Sequence, residues 1–418
     1  MVSERLTRRR LFGLAGAAGV TGLAAGTAAG WSLEDDPLPE TGSASDAPGA
    51  AERATPVKPG GLPHGVAEPV PAFGHVMAID LAEHVRRSTR QSRSTAADLL
   101  RMVARLAHRA EPSVDAPVSL GIEPASLQVA VGVGASLLRW CGLESGRPAS
   151  MVDVPSFATD RLRAELSGGD LVVHLAAEDP MRLAGAVQSV ASALGDRAHV
   201  RWSRRGFRQT EAASDKADQT PRNLMGHRDG TNNPPLGSAL WNSVVRTRAS
   251  GPGAWMDGGS YLVVRDIRID LDSWFTKGVH DRDAVIGRRT ADGAPLGGRR
   301  ENSPVDLSVR DDAGDLVVPA HAHIRVASST NTAGSRIYRR SWNYDDGWTS
   351  AGERDAGLLF LAWQADPRRG FIPIQQSLVD NDDALNGVTR HVGSALFAML
   401  PQPPDPDVAG RDLLGEDV

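Results

Sequence analysis

The chain has 418 residues, 41% of them hydrophobic and 23% charged, with a formal net charge of −5 and a single cysteine, Cys141. That is the composition of a globular protein with room for two domains. It gives no electrostatic case for a nucleic-acid partner, and a lone cysteine excludes an intramolecular disulfide.

At the N-terminus, Thr7-Arg8-Arg9-Arg10-Leu11-Phe12 sets adjacent arginines before a short apolar run, Leu11 to Ala29, that is rich in Gly and Ala. This is the twin-arginine export pattern, and the run is too short and too weakly apolar for a stable membrane anchor. Residues 1–30 are therefore expected to be an export signal cleaved near Thr27-Ala28-Ala29. The expected location is extracellular, or in the periplasm or cell envelope, and the export machinery is an expected partner. That route carries folded proteins, often with a cofactor already loaded. Residues 31–68 are rich in Pro, Ala, Gly, Ser and acids and read as a disordered linker.

Order is expected from Pro69. Gly74–Leu81 reads as a strand, and Thr95–Ala110 as a helix capped by Ser94 or Thr95. Leu127–Val133 is a strand, Ser136–Trp140 a short helix, Asp170–Ala177 a strand and Pro180–Leu194 a helix. A further strand begins at Val200-Arg201-Trp202. Strand, helix, strand, strand, helix, strand is the ferredoxin-like plan, an antiparallel sheet with helices on one face. The order returns in the second half. Gly258–Ile267 reads as a strand, Ile269–Thr276 as a helix, Ala322–Val326 as extended, and Arg336–Arg340 and Gly357–Gln364 as strands. Phe371–Leu378 precedes a last helix. The predicted class is α+β, with two ferredoxin-like halves in one unit, residues 69–220 and 221–402. Residues 403–418, acidic and proline-rich, read as a loose tail. Nothing here fixes the oligomeric state, and a homo-oligomer stays open.

The stretch richest in chemical meaning is Met225-Gly226-His227-Arg228-Asp229-Gly230-Thr231-Asn232-Asn233-Pro234. Gly226 and Gly230 allow backbone angles that a Cβ forbids, and Asn232-Asn233-Pro234 favours a turn. A carboxylate on such a loop can be aimed into a cavity, although a bare Asp-Gly is more often a surface turn. Among the 11 histidines, His321 and His323 lie two apart on a segment expected to be extended, so both would face one side. Such a pair can be a metal clip, but no third ligand stands at a persuasive spacing. Arg339 and Arg340 are adjacent on a strand, so only one can enter a given pocket.

The string from Pro221 to Pro234 resembles the signature loop of the dye-decolourising peroxidases, a haem family, in which the loop reads glycine, two variable residues, aspartate, glycine. Gly258-Gly259-Ser260-Tyr261-Leu262-Val263, Ala284-Val285-Ile286-Gly287-Arg288, Ala322-His323-Ile324-Arg325, Arg339-Arg340 and Ala384-Leu385-Asn386 look like family segments in family order. The resemblance runs from about Val76 to Pro401. It implies a barrel-like arrangement of the two ferredoxin-like halves with haem in the C-terminal half. The activity implied is oxidation of a small-molecule or polymeric reductant by hydrogen peroxide through a ferryl state.

The family's site residues carry over by position. His323 matches the proximal iron ligand, Asp229 the distal proton acceptor and Arg339 the distal cation. Leu358 and Phe360 match the apolar wall, and Gly230, Thr231 and Asn232 the contacts at the haem edge. Arg325 is a candidate partner for a propionate or for a structural ion pair. No Cys-x-x-Cys-His stands in the chain, so the haem is expected to be non-covalent haem b. Two departures stand out. His227 replaces the usual aromatic and would compete as a base if it faced the pocket, and Ser328-Ser329-Thr330-Asn331 replaces an asparagine-proline-arginine. Tyr338, Trp342, Tyr344 and Trp363 read as core, with electron relay as the other reading. The same motifs serve deferrochelatases, which release iron from haem. A haem carrier without turnover is a third reading, and it has no use for Asp229 and Arg339.

Overall fold

In the first half the expected alternation produces β1 (Phe73–Leu81), α1 (Glu83–Arg86), α2 (Thr89–His108), β2 (Gln128–Val133), α3 (Ala135–Trp140), β3 (Leu171–Ala177), α4 (Pro180–Leu194) and β4 (Ala198–Phe207). The second half holds α5 (Ala239–Val245), β5 (Ser260–Ile269), α6 (Leu271–Thr276), α7 (Val279–Ile286), α8 (His323–Val326), β6 (Tyr338–Arg339) and β7 (Trp342–Trp348). It continues through β8 (Arg354–Gln364), α9 (Phe371–Asp380), β9 (Thr389–Met399) and α10 (Arg411–Leu414). This computed structural model describes residues 61–108, 127–209 and 220–415. The expected export signal, its cleavage point and linker residues 31–60 lie outside the described residues. Among the described residues no helix is long and apolar enough to cross a membrane.

Local chemistry sets the helix ends. Asp179 caps α4 by accepting from Arg182 N, and Pro180 stands in its first turn. α2 starts at Thr89 instead of Thr95, because Ser88 Oγ accepts from Gln91 N at 3.4 Å and supplies the cap upstream of the expected one.

Each half forms a four-stranded antiparallel sheet of one topology. The first runs β2-β3-β1-β4 and the second β9-β5-β8-β7, so in both the first strand lies between the fourth and the third. The sheets meet where β2 pairs with β9 (Gly132↔Met399, Val133↔Ala398) and where β4 pairs with β7 (Phe207↔Asn343). The ring of strands is thereby closed into a barrel. At the second seam Gly74 and Gly206 lie opposite each other, and a Cβ on either would come within 2.5 Å of Trp342. Their missing side chains let the indole lie flat across the junction.

Apolar side chains are buried in four clusters among the described residues. Met77, Ile79, Val133, Leu171 and Leu175 pack under α2 and α4. Val76, Ala78, Trp202, Leu262, Trp342, Leu359, Leu361 and Trp363 fill the space between the sheets. On the outer face of the second sheet, Val263, Ala362 and Phe371 are buried, with Phe360 packed against them. The fourth cluster lies around Met225, Ile269, Trp274 and Leu385, beside the 221–234 loop. Each fully buried large side chain contributes about 1.5–3 kcal/mol. Tyr338, Trp342, Tyr344 and Trp363 are all buried in the second of these cores, their core reading.

Several expectations need correction. Ala322–Val326 is not extended. Ala322 is, but a helix starts at His323, so the two-residue period that would align His321 with His323 is broken. Phe371–Leu378 does not precede a helix, because it lies within α9, whose Pro373 falls in the first turn where its missing N–H is tolerated. The strand expected over Arg336–Arg340 shortens to two residues. β7 and β9 were not anticipated as strands. The C-terminal stretch is not a loose tail. α10 buries Leu413 and Leu414 against the first core. Nor is the end of the linker free, since Leu62 and Val66 are buried and His64 Nδ1 accepts from Val129 N.

Candidate active site

The 221–234 loop is folded on its own main chain. Asn223 N donates to His227 O, Gly226 N to Asn223 O, and Asp229 N to Pro221 O, each at 2.9 Å. Gly226 (φ 87°) and Gly230 (φ 122°) adopt the positive φ that glycine alone accepts without strain. The fold of the loop leaves the Asp229 side chain facing β6, where its Oδ1 meets Arg339 Nη1 at 2.9 Å. Neither is fully enclosed, with 18% of the Asp229 side chain and 26% of the Arg339 side chain exposed. Both line an open pocket together with Gly230, Leu358, Ser341 and Arg208.

α8 begins at His323, and its ring turns toward Asp383, ahead of the short turn Ala384–Gly387. Nδ1 lies 2.7 Å from Asp383 Oδ2, while Asp383 Oδ1 accepts from Leu385 N at 3.1 Å. The Asp383 side chain is almost wholly buried, but 30% of the His323 side chain is exposed, and Nε2 has no hydrogen-bond partner among the described residues. Burial acts to lower the imidazole pKa, yet the charge and hydrogen bond of Asp383 outweigh it, and the pKa is raised above the ordinary histidine value. Arg339 and Asp229 also act on this ring electrostatically, the first lowering and the second raising its pKa. Leu358 links the two places, since it lines the pocket with Asp229 and Arg339 and packs in one apolar cluster with Ile324 and Leu385, which adjoin His323 and Asp383 in the chain. On β8, Leu358 and Phe360 stay partly exposed on one face while Leu359 and Leu361 are buried on the other.

These atoms fit an iron porphyrin. One imidazole nitrogen is free and the other is braced by a carboxylate, the arrangement that orients an axial ligand. Partly exposed apolar side chains and an acid–cation pair border the same region. A bare metal ion is less well served, because among the described residues no group of three or more His, Cys, Asp or Glu converges.

The other sequence candidates separate. His321 is exposed, and its Nδ1 meets Asn381 O at 3.0 Å. Arg340 points away from Arg339 into the interior, donating to the carbonyls of Val66 and Glu68 and to Gln128 Oε1. His227 is buried beside Trp274, with Nε2 3.0 Å from Thr290 Oγ1, and does not line the Asp229 pocket. Burial lowers its pKa to about 4, with Arg282 and Arg222 acting the same way against Asp283. Thr231 Oγ1 donates to Glu301 Oε1 at 2.8 Å, and Asn232 is exposed. Among the described residues Arg325 makes no ion pair. Its guanidinium donates to the carbonyls of Leu307, Val318 and Pro319 and ties that loop to α8.

Four residues at the site were not anticipated: Asp383, Arg208, Asn233 and Glu301. Asp383 directly precedes the family-like Ala384-Leu385-Asn386, which was the available signal, but nothing local links it to a histidine 60 positions away. Arg208 reaches the pocket from the end of β4, in the other half of the chain.

Residues 63–208 match the family model described as Dyp-type peroxidase, N-terminal, and residues 220–403 match Dyp-type peroxidase, C-terminal. A dye-decolorizing peroxidase of Thermobifida fusca (strain YX) is 46% identical over 421 residues, covering 98% of this chain and 97% of that protein. A deferrochelatase of Yersinia pseudotuberculosis is 34% identical over 303 residues, 69% of each chain. Among solved structures, a DyP-type peroxidase from Streptomyces coelicolor superposes with a TM-score of 0.78 at 38% identity, covering 84% of this chain and 95% of that one. Ferric DtpA from Streptomyces lividans also gives 0.78 at 38% identity, over 84% and 94%. With both halves matched and nearly the full length shared with a relative at 46% identity, the chain belongs to the Dyp-type peroxidase family.

Proposed function

We propose that this haem peroxidase is exported by the twin-arginine route and reduces hydrogen peroxide at the expense of a small-molecule or polymeric electron donor. The observation that carries the reading is the Asp229–Arg339 contact at 2.9 Å, in a pocket lined by Leu358, which also packs beside the neighbours of His323 and Asp383. His323 Nε2 would hold haem b without covalent attachment, and the haem when bound would supply the electrons that reduce the peroxide bond.

The chain's own residues do the rest. Asp383 accepts the Nδ1 proton of His323, which keeps the Nε2 lone pair available. Asp229, as a carboxylate, takes a proton from one oxygen of hydrogen peroxide and returns it to the other. Arg339 donates to the oxygen on which negative charge grows as the O–O bond lengthens. Leu358 and Phe360 limit the access of bulk water. Gly230 lets the loop approach closely, and the exposed Asn232 stands beside it.

The deferrochelatase reading draws on the 34% relatives, but the 46% relative spans nearly the whole chain and carries the peroxidase name. Stopped-flow spectra of the haem-loaded protein mixed with peroxide test the proposal. Asp229→Asn and Arg339→Leu should each slow the first spectral change by about 10²- to 10³-fold, the usual magnitude for a positioned acid–base or electrostatic group. Parental rates in both, together with release of free iron from haem, would transfer the assignment to deferrochelatase chemistry.

A further inference from the structure

We propose that Asn233 is the positioning residue that sets the Asp229–Arg339 pair, an inference that rests on the peroxidase reading of that pair. β6 is two residues long, and on one edge Arg339 pairs with Ala362 of β8. Among the described residues no strand follows on its other edge. Asn233 takes that place with its side chain. Asn233 Oδ1 accepts from Arg339 N at 3.0 Å, and Asn233 Nδ2 donates to Arg339 O at 2.8 Å. One carboxamide thus makes the two bonds that a neighbouring strand residue makes in an antiparallel ladder. A residue clamped on both main-chain groups has little freedom in the direction of its Cα–Cβ bond, so the guanidinium starts from a fixed point.

The clamp reaches Asp229 through a short, rigid path. Asn233 N donates to Gly230 O at 2.9 Å and closes a tight turn directly after Asp229. Pro234 follows Asn233 and confines its backbone to extended angles. At the other end of the turn, Glu301 holds Arg228 at 2.7 Å and Thr231 at 2.8 Å, so the residues flanking Asp229 and Gly230 are held as well. Main chain of Arg339, side chain of Asn233, turn, Asp229 and the 2.9 Å ion pair form a closed ring of contacts. Asn233 is the residue that joins the Arg339 main chain to the turn in this ring, while Asn343 on β7 holds the start of the loop at Leu224 N. A serine or an aspartate in its place offers no donor and acceptor at the required separation.

The test uses the haem-loaded full chain with Asn233→Ala and Asn233→Asp, read in two ways. The first is a crystal structure of each variant that binds haem. Separation of Asp229 and Arg339 beyond hydrogen-bonding distance is expected, and a pair retained near its present distance overturns the positioning role whatever the activity. The second is the peroxide rate. A loss of about 10- to 100-fold is expected, the scale of a misplacement of about 1 Å. In an Arg339→Leu background the Asn233 substitutions should cost clearly less than they do in the parent, because the part of the clamp's effect that acts through the guanidinium is already lost. An equal, multiplicative loss there marks a merely structural role and also overturns the proposal. If Asp229→Asn and Arg339→Leu themselves react at the parental rate, the peroxidase reading of the pair fails, and the crystal structures alone decide whether Asn233 positions it.

Discussion

Replacing Asp383 by asparagine isolates the contribution of one buried carboxylate to haem binding. Asp383 makes two bonds with two oxygens: Oδ2 to His323 Nδ1 at 2.7 Å and Oδ1 from Leu385 N at 3.1 Å. Asparagine keeps the volume and one oxygen but cannot serve both. If its oxygen stays on Leu385 N, its NH₂ faces His323 Nδ1 and favours the tautomer with the proton on Nε2, which removes the lone pair from the iron side. If the amide flips, the oxygen accepts from Nδ1 but the NH₂ opposes Leu385 N–H. Either way a buried, charge-assisted hydrogen bond is lost, about 1.5–3 kcal/mol. That predicts a haem dissociation constant raised by about 10- to 100-fold, the range found for partners of metal ligands. Asp383→Ala should lose as much haem affinity and additional stability, because the cap on Leu385 goes too. The assay is titration of haem into apoprotein followed at the Soret band, with urea unfolding of the apoprotein alongside. Asp383→Asn binding haem within a factor of about two of the parent would refute the argument that the carboxylate fixes the tautomer.

Three further outcomes are expected. His323→Ala should lose most of its haem, read as the ratio of Soret to protein absorbance, whereas His321→Ala should keep it. The reverse would move the ligand. His227 has a folded pKa of about 4 against an ordinary value of 6.5, so between those pH values the unfolded chain binds more protons. Its contribution is complete above about pH 6.5 and is lost as pH falls toward 4, up to about 3 kcal/mol. Urea unfolding of His227→Phe should accordingly lose less stability than the parent between pH 7 and pH 4.5, and equal losses would contradict the buried neutral imidazole. Replacing Arg8 and Arg9 together by lysine should hold the protein in the cytoplasm on fractionation, and unchanged export would point to another route.

What the sequence determined by itself was local or periodic. The short apolar runs of Asp170–Ala177 and Gly357–Gln364 marked strands, because a brief apolar stretch rich in β-formers and bounded by turn residues is a property of the chain alone. The order of elements carried the repeated half, and the Gly-x-x-Asp-Gly string carried Asp229 through its resemblance to a family loop, its glycines taking the positive φ that residue type allows. Arg339 and Arg340 were known to diverge, and they do. The rest depended on partners far away in the chain. β9 is a strand because it lies between β2 and β5, and the tail is ordered because Leu413 and Leu414 find the α2 face. His321 and His323 were given one side by a strand period, and only the start of α8 turned His323 inward and left His321 exposed. Arg208 has no local mark of function, and Asp383 and Asn233 lie beside or within family-like strings that do not say what each one meets. Each matters because folding sets it against a group on another element, and such a meeting is made by the packing of sheets and loops that no window of sequence contains.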